Sequence, residues 1–199
     1  MREPSTLVKP IDLHGRPAPA ASFEVPLEML AACHSRVEGQ CDTFRRLLAH
    51  VCEQGPDLQA REAAVAVMRY FDTSARHHHA DEDVDLFPAL IESMAGSDAV
   101  CLQELTASLT AEHRELEQCC HSLRPSLQQV AGGHAAALPG DEVLEFIGLY
   151  ERHIAREESE LLPMAGRLLS DAELDRIGLA MRARRDASDT VDLPRPSPA

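Results

Sequence analysis

Two segments of this sequence place a histidine four residues before a glutamate. The pairs are His78 with Glu82 and His153 with Glu157. In an α-helix, residues four apart lie on one face about one turn apart, so both side chains of a pair can ligate one metal ion, or the glutamate can bridge two ions. Imidazole nitrogen together with carboxylate oxygen suits iron, with manganese or zinc as possible substitutes.

Both pairs belong to a repeated segment. Residues 78–88 align without gaps to residues 153–163, with five of eleven positions identical and acidic residues matching at two more. A lone histidine precedes each copy at a similar distance, His34 by 44 residues and His113 by 40 residues. The pattern indicates an internal duplication of a helix pair, in which each half supplies one histidine and then one histidine–glutamate pair.

These ionisable residues interrupt apolar stripes. Four long stretches carry apolar residues at alternating steps of three and four, which predicts four helices that each bury one face. A buried polar group without a partner is costly, so buried charges are normally paired or bound to metal. A single buried histidine is most often a hydrogen-bonded core residue, but coincidence is a poor explanation for one in each of four helices. The predicted metal ligands are His34, His78, Glu82, His113, His153 and Glu157.

Proline and glycine mark the expected helix boundaries. Gly55-Pro56 is expected to end the first helix and Gly132-Gly133 the third. Pro88 is expected to kink or stop the second helix, and Pro125 to bend the third near its end. The expected starts of the four helices are Pro26, Asp57, Ser97-Asp98 and Asp141.

The composition favours an all-α fold. Aromatic residues make up only 4% of the 199 residues and tryptophan is absent, which favours helix over sheet. We predict an up-down-up-down four-helix bundle with an additional C-terminal helix, which would start at the capping-box sequence of Ser170 to Glu173. That helix either packs across the bundle or hangs loosely. The predicted parts are an irregular N-terminal arm (1–25), the bundle (26–169), the extra helix (170–187) and a disordered tail (188–199).

Charge and composition also narrow the partners. A formal net charge of −14 argues against nucleic acid and against an anionic membrane surface. Neither a signal-peptide pattern nor an apolar run long enough to span a membrane is seen, so we expect a cytoplasmic protein. The six cysteines lack the spacing of metal ligands or a disulfide framework, and we expect ordinary thiols.

The full pattern, H…HxxxExxxLFP…EH…HxxxExxxLxP, resembles the hemerythrin-like (HHE cation-binding) family over about residues 25–168. This resemblance implies a four-helix bundle around two non-heme iron ions, bridged by two carboxylates and an oxygen species (an Fe–O–Fe type centre). The implied ligands are the six residues already singled out by spacing. Neither the oligomeric state nor a redox partner is indicated.

One position departs from the oxygen-carrying members of that family. They have a second histidine one turn after the third-helix histidine, where this chain has Glu117. Glu117 is either part of the centre, as an additional ligand or as an acid next to the ligands, or a surface carboxylate. His79 could pair with Asp83 at the same spacing, but the repeat has Ile154 at the matching place, which favours His78 as the ligand and an exposed imidazole for His79. The six-residue set is closer to bacterial repair-of-iron-centre proteins and to the iron-sensing domain of a mammalian ubiquitin-ligase subunit.

The expected function is that of a di-iron protein that binds or senses O2, nitric oxide or peroxide. The alternative is a di-iron enzyme of oxidative or nitrosative stress defence, for peroxide decomposition or the repair of iron centres. Both use the same ligands, so the sequence leaves open whether the protein is an enzyme. A third hypothesis, a purely structural polar network, is disfavoured because half-satisfied buried networks are costly.

Overall fold

The computed structural model describes residues 22–94, 98–134 and 137–191, and all regular elements in these ranges are helical. The predicted all-α fold is confirmed. Two short segments have the wider π-helical turn. The elements are α1 (Pro26–Gln54), α2 (Leu58–Asp72), α3 (Ser74–Ala80), the first π segment (Asp81–Leu86), α4 (Phe87–Ser93), α5 (Asp98–Gly132), α6 (Gly140–Arg156), the second π segment (Glu157–Leu161), α7 (Leu162–Leu168) and α8 (Asp171–Val191).

Several predicted boundaries are confirmed, and each has a local cause. Gly55 and Gly133 follow α1 and α5 with φ of 74° and 75°, a left-handed conformation that favours glycine. The Asp57 side chain accepts a hydrogen bond of 2.9 Å from the Ala60 N–H and thereby caps α2. Pro26 occupies the first turn of α1, where a missing N–H leaves no helical bond unmade.

Four antiparallel rods form the bundle. The rods are α1, the run from α2 to α4, α5, and the run from α6 to α7. The α1 rod packs against the α2–α4 rod and the α6–α7 rod, and so does the α5 rod. Rods that follow one another in the sequence are therefore neighbours in space. The chain therefore forms the predicted four-helix bundle.

Pro88 was expected to kink or stop the second helix. It does not stop it, because the rod continues to Ser93. Just before this proline, the Phe87 N–H donates to the Glu82 carbonyl five residues earlier, as a π-helical turn requires. The second copy repeats the arrangement, since the Leu162 N–H donates to the Glu157 carbonyl. Each π turn therefore begins at, or one residue before, a predicted glutamate ligand.

The interior has two apolar clusters with a polar layer between them. One cluster includes Phe44, Phe71 and Phe146, packed ring against ring. The other includes Leu86 and Leu161, which follow the two predicted glutamates in the rods. The predicted ligands lie in the layer that separates the clusters.

The C-terminal helix packs against the bundle. Ser170 and Glu173 form the predicted capping box, in which the Ser170 N–H donates to the Glu173 carboxylate over 2.7 Å. Ile177 and Met181 are buried in the second apolar cluster. The helix lies against α1, α3 and the first π segment, and it runs to Val191, beyond its predicted end at residue 187.

A few residues of the predicted N-terminal arm also contact α8. The Phe23 ring lies beneath two α8 guanidinium groups, at 5.6 Å from that of Arg182 and 5.3 Å from that of Arg185. At Gly178, an added Cβ would lie 2.0 Å from the Phe23 carbonyl oxygen, so the close approach requires glycine.

Residues 1–21 and most of the predicted tail, 192–199, lie outside the described residues. No helix in the described ranges has the length and apolar character needed to cross a membrane.

Candidate metal centre

The six side chains predicted as ligands converge in the polar layer of the bundle. Each rod contributes at least one, and the two glutamates come from the starts of the π segments. All six are buried, with exposed fractions of 2% or less. They form two overlapping groups of four, and within each group the candidate ligand atoms lie within 4.8 Å of one another.

The first group, which we call position A, contains His34 and His78 together with both glutamates. His34 Nε2 lies 3.1 Å from Glu157 Oε2, across the bundle. His78 Nε2 lies 3.6 Å from Glu82 Oε2, one helical turn further along the same rod. Position A therefore combines a histidine–glutamate pair from one repeat with a glutamate from the other.

The second group, position B, contains His113 and His153 with the same two glutamates. His113 Nε2 lies 3.3 Å from Glu82 Oε2, and His153 Nε2 lies 3.1 Å from Glu157 Oε1. The two imidazole Nε2 atoms are 3.1 Å apart. Because Glu82 and Glu157 belong to both positions, the arrangement suits two ions bridged by two carboxylates.

The surroundings of the two glutamate carboxylates indicate whether a cation would fit at this site. Both oxygens of Glu82 and both oxygens of Glu157 are buried without a hydrogen bond to the described residues. The nearest polar atoms to these oxygens are imidazole nitrogens of the same centre, at 3.1 Å and more, so charge on the carboxylates depends on protonated histidines. A bound cation would instead be ligated directly by the carboxylates and by neutral imidazoles. The donors are nitrogen and oxygen, and no cysteine joins either group, which distinguishes the site from the common structural zinc sites. The residues fit a metal centre.

The two carboxylates differ in their affinity for protons. Burial, followed by the charge of Glu157, raises the pKa of the Glu82 carboxyl to about 7. Burial also acts to raise the pKa of Glu157, but contacts with His113, His153 and His34 hold it well below its ordinary value. The metal-free centre therefore keeps a negative charge on Glu157 and can hold a proton on Glu82 near neutral pH.

The candidate ligand histidines also differ from one another in their affinity for protons. Burial acts to lower the pKa of His113, but its carboxylate neighbours, Asp83 first among them, raise it to about 11. At His78, burial and the charge of His34 outweigh the opposing charge of Glu157 and lower the pKa well below its ordinary value. Metal entry therefore has to displace protons from the centre, because imidazole ligates only in its neutral form.

Two further carboxylates each contact a histidine in the other half of the duplication. Asp83, beside the first glutamate, places Oδ2 3.1 Å from His113 Nδ1 in the second half. Glu158, beside the second glutamate, places Oε1 3.2 Å from His34 Nδ1 in the first half. A carboxylate at the second nitrogen of a ligating histidine fixes the ring orientation and raises its basicity. The sequence carries a signal for both carboxylates, because an acidic residue follows the glutamate in each copy of the repeat.

Glu112 completes this outer set. Its Oε2 lies 2.9 Å from His153 Nδ1, and its Oε1 accepts a hydrogen bond of 2.6 Å from Arg156. Glu112 comes immediately before His113 in the sequence, but it contacts the histidine of a different rod. The position of Glu112 in the sequence therefore does not reveal that it contacts His153. That contact depends on how α5 packs against α6.

The expectation of an exposed imidazole at His79 is wrong. Its exposed fraction is 3%, and its ring stacks on His113 with centroids 4.2 Å apart and planes 11° from parallel. His79 is grouped with the two histidines of position B but not with the glutamates, whereas His78 is grouped with both glutamates. Glu117 has an exposed fraction of 47% and faces His79 over 4.0 Å, so its geometry favours the surface carboxylate over the ligand.

Together, the bundle and the buried histidine and glutamate side chains define an all-α cation-binding protein. The family model of the hemerythrin HHE cation-binding domain matches residues 25–165, and the chain therefore belongs to this family. It is also similar to an uncharacterized protein of Haemophilus influenzae, with 30% identity over 173 residues that cover 87% of this chain and 97% of that protein.

Proposed function

We propose that this chain is a non-heme di-iron protein that binds or senses O2, nitric oxide or peroxide. The observation that carries the proposal is the pair of overlapping groups, each with two histidines and both sharing the same two glutamates. A centre for a single structural ion would need only four ligands, whereas the six buried side chains are divided evenly over two positions. Iron is the ion we expect, because the donors are borderline nitrogen and hard oxygen.

The side chains of this chain would hold and shield the metals. His34 and His78 would ligate one ion and His113 and His153 the other, with the two glutamates bridging them. Bound iron would supply a redox change and open coordination positions for a small molecule such as O2. The apolar clusters lie on both sides of the polar layer and would shield the centre from water.

Metal analysis of the purified chain tests this proposal. After anaerobic reconstitution with Fe2+ and removal of unbound metal, we expect about two irons per chain. Absorbance changes on adding O2, nitric oxide or hydrogen peroxide would then identify the ligand. Rapid, repeated consumption of peroxide would instead assign the enzymatic alternative. Retention of zinc alone, or of no metal after reconstitution, would contradict the proposal.

A further inference from the structure

We propose that the two metal positions are inequivalent: position B binds its ion more tightly, and position A is the labile position that loads last and releases first. The inference rests on the proposed function, because it requires two bound ions. It deepens that proposal by assigning different roles to the two halves of the duplication.

The first observation concerns the Nδ1 atoms of the histidines. In position B both have a carboxylate, Asp83 for His113 at 3.1 Å and Glu112 for His153 at 2.9 Å. In position A only one does, where Glu158 lies 3.2 Å from its histidine. The other position A histidine, His78, contacts the Glu82 carboxylate through Nε2, and its Nδ1 is buried without a hydrogen-bond partner in the described part of the chain. His113 Nδ1 likewise makes no hydrogen bond of regular geometry there, so the difference between these two atoms is the Asp83 carboxylate that lies 3.1 Å from His113.

The position B carboxylates are also held more firmly. Thr110 donates a hydrogen bond of 2.5 Å to Asp83, and Arg156 donates one of 2.6 Å to Glu112. We find no comparable anchor for Glu158 among the described residues, and its side chain is 49% exposed, against 31% for Asp83 and 29% for Glu112. Exposure to water weakens the contact of Glu158 with its histidine.

Ring packing adds a third difference. The His113 ring is within 11° of parallel to the rings of both His79 and Phe87, with centroids 4.2 Å and 5.9 Å away. These rings restrict the orientation of His113 before any metal binds. The repeat has Ile154 and Leu162 at the matching places, so it lacks the two rings that would form the equivalent arrangement around His34.

The origin of the asymmetry is visible in the sequence. The residue before the lone histidine is Glu112 in the second half and Cys33 in the first. Glu112 backs the histidine of the neighbouring rod, and a cysteine cannot supply the equivalent carboxylate. Loss of an outer partner of this kind commonly weakens metal binding by about 10- to 100-fold, so we expect at least about a tenfold difference between the positions.

A pair of matched variants isolates each position. His78→Ala removes a ligand of position A and His153→Ala removes its counterpart in position B, at identical places in the repeat. Each variant is titrated anaerobically with Co2+, whose absorbance reports binding. We expect one ion per chain in both, with a dissociation constant at least about tenfold lower for His78→Ala than for His153→Ala. Equal constants, or tighter binding by His153→Ala, would overturn the inference.

The unmodified protein provides a measurement that does not depend on ligand substitution. On addition of excess chelator to the Co2+-loaded protein, we expect one ion per chain to leave quickly and the other slowly. Glu112→Gln should accelerate the slow phase, while the matched change Glu158→Gln should accelerate only the fast phase. A single phase in the unmodified protein, or the opposite response of the two variants, would overturn the inference.

The two proposals fail in different ways. If the unmodified protein binds no metal, both the di-iron function and the inequivalence are wrong. If it binds two ions that the chelator removes at one rate, only the inequivalence is wrong. Circular dichroism and thermal melting of each variant establish that a lost ion does not reflect a lost fold.

Discussion

At the scale of single residues, the centre is a set of buried groups that need one another. Within the described residues, Glu82 and Glu157 have imidazoles of the same centre as their polar neighbours, and three of the four candidate ligand histidines have a carboxylate near Nδ1. Removing one partner from such a network leaves others unsatisfied, so the effect of a substitution extends beyond the missing ligand.

Alanine substitution of a single ligand should therefore deplete the metal. We expect His113→Ala and Glu157→Ala each to lose at least about half of the bound metal, measured by elemental analysis after reconstitution, because each removes a donor that the others cannot replace. The exposed His121 serves as a matched control, and His121→Ala should retain full metal content. Two irons per chain in both ligand variants would refute the assignment of the ligands.

Metal affinity should increase with pH. Burial acts to lower the pKa of His34, but Glu157 and neighbouring carboxylates raise it to about 9, and His113 rises to about 11. These imidazoles are protonated in the metal-free protein at neutral pH and must lose a proton to ligate, so metal binding weakens as the pH falls. Co2+ titrations between pH 6 and 8 should show this trend, with proton release detected by calorimetry in buffers of different ionisation enthalpy. An affinity independent of pH would contradict it.

At the scale of elements, α8 supports the first π segment. Asp81 is fully buried immediately before Glu82 and is paired with Arg184 and Arg185 of α8. Arg184 also contacts Asp85 at 2.6 Å. The backbone that carries Glu82 is thus tied to a helix outside the four-rod bundle.

Loss of these arginines should destabilise the protein. Joint replacement Arg184→Met and Arg185→Met keeps apolar stems but leaves a buried carboxylate unpaired, which costs about 3–5 kcal/mol of unfolding free energy. Urea denaturation measures the change. Arg176→Met, at an exposed place on the same helix outside this ion-pair cluster, is the control. Adding Asp81→Asn to the double variant should restore part of the loss. A loss below about 1 kcal/mol would show that the cluster is dispensable.

At the scale of the whole molecule, the polar layer separates two apolar clusters and receives ligands from all four rods. Without metal, the layer holds buried charges that neither cluster can stabilise. Metal ions bound there would connect the rods, and their binding free energy would add to the stability of the fold.

Metal removal should therefore lower the melting temperature. At a free metal concentration about 100-fold above the dissociation constant, one site adds about 2.7 kcal/mol, and in a chain of this size that corresponds to about 5–10 °C. Scanning calorimetry of iron-loaded and chelator-treated protein measures the difference. The double variant Glu82→Gln and Glu157→Gln lacks both bridging carboxylates and should melt at the same temperature with and without metal. A shift that persists in this variant would place the metal elsewhere.

Local patterns in the sequence were enough to predict the helices, several of their ends and the places of the six candidate ligands along them. Apolar periodicity, a positive-φ glycine after a helix and the four-residue step from histidine to glutamate all act within a few turns of chain. The repeat supplied the long-range information, because duplicated segments fold alike and face each other in a bundle. That is why residues as distant as His34 and Glu157 could be placed in one centre.

Which side chains meet across the rods could be seen only once the helices were packed. It placed Glu112 on a histidine of another rod, buried His79 against His113, and docked α8 on the first π segment. The π turns at Pro88 and its counterpart also depend on the continuation of the rods. The physical reason is that such contacts depend on the relative rotation and height of packed helices, which local patterns of polarity constrain to a face but not to a partner.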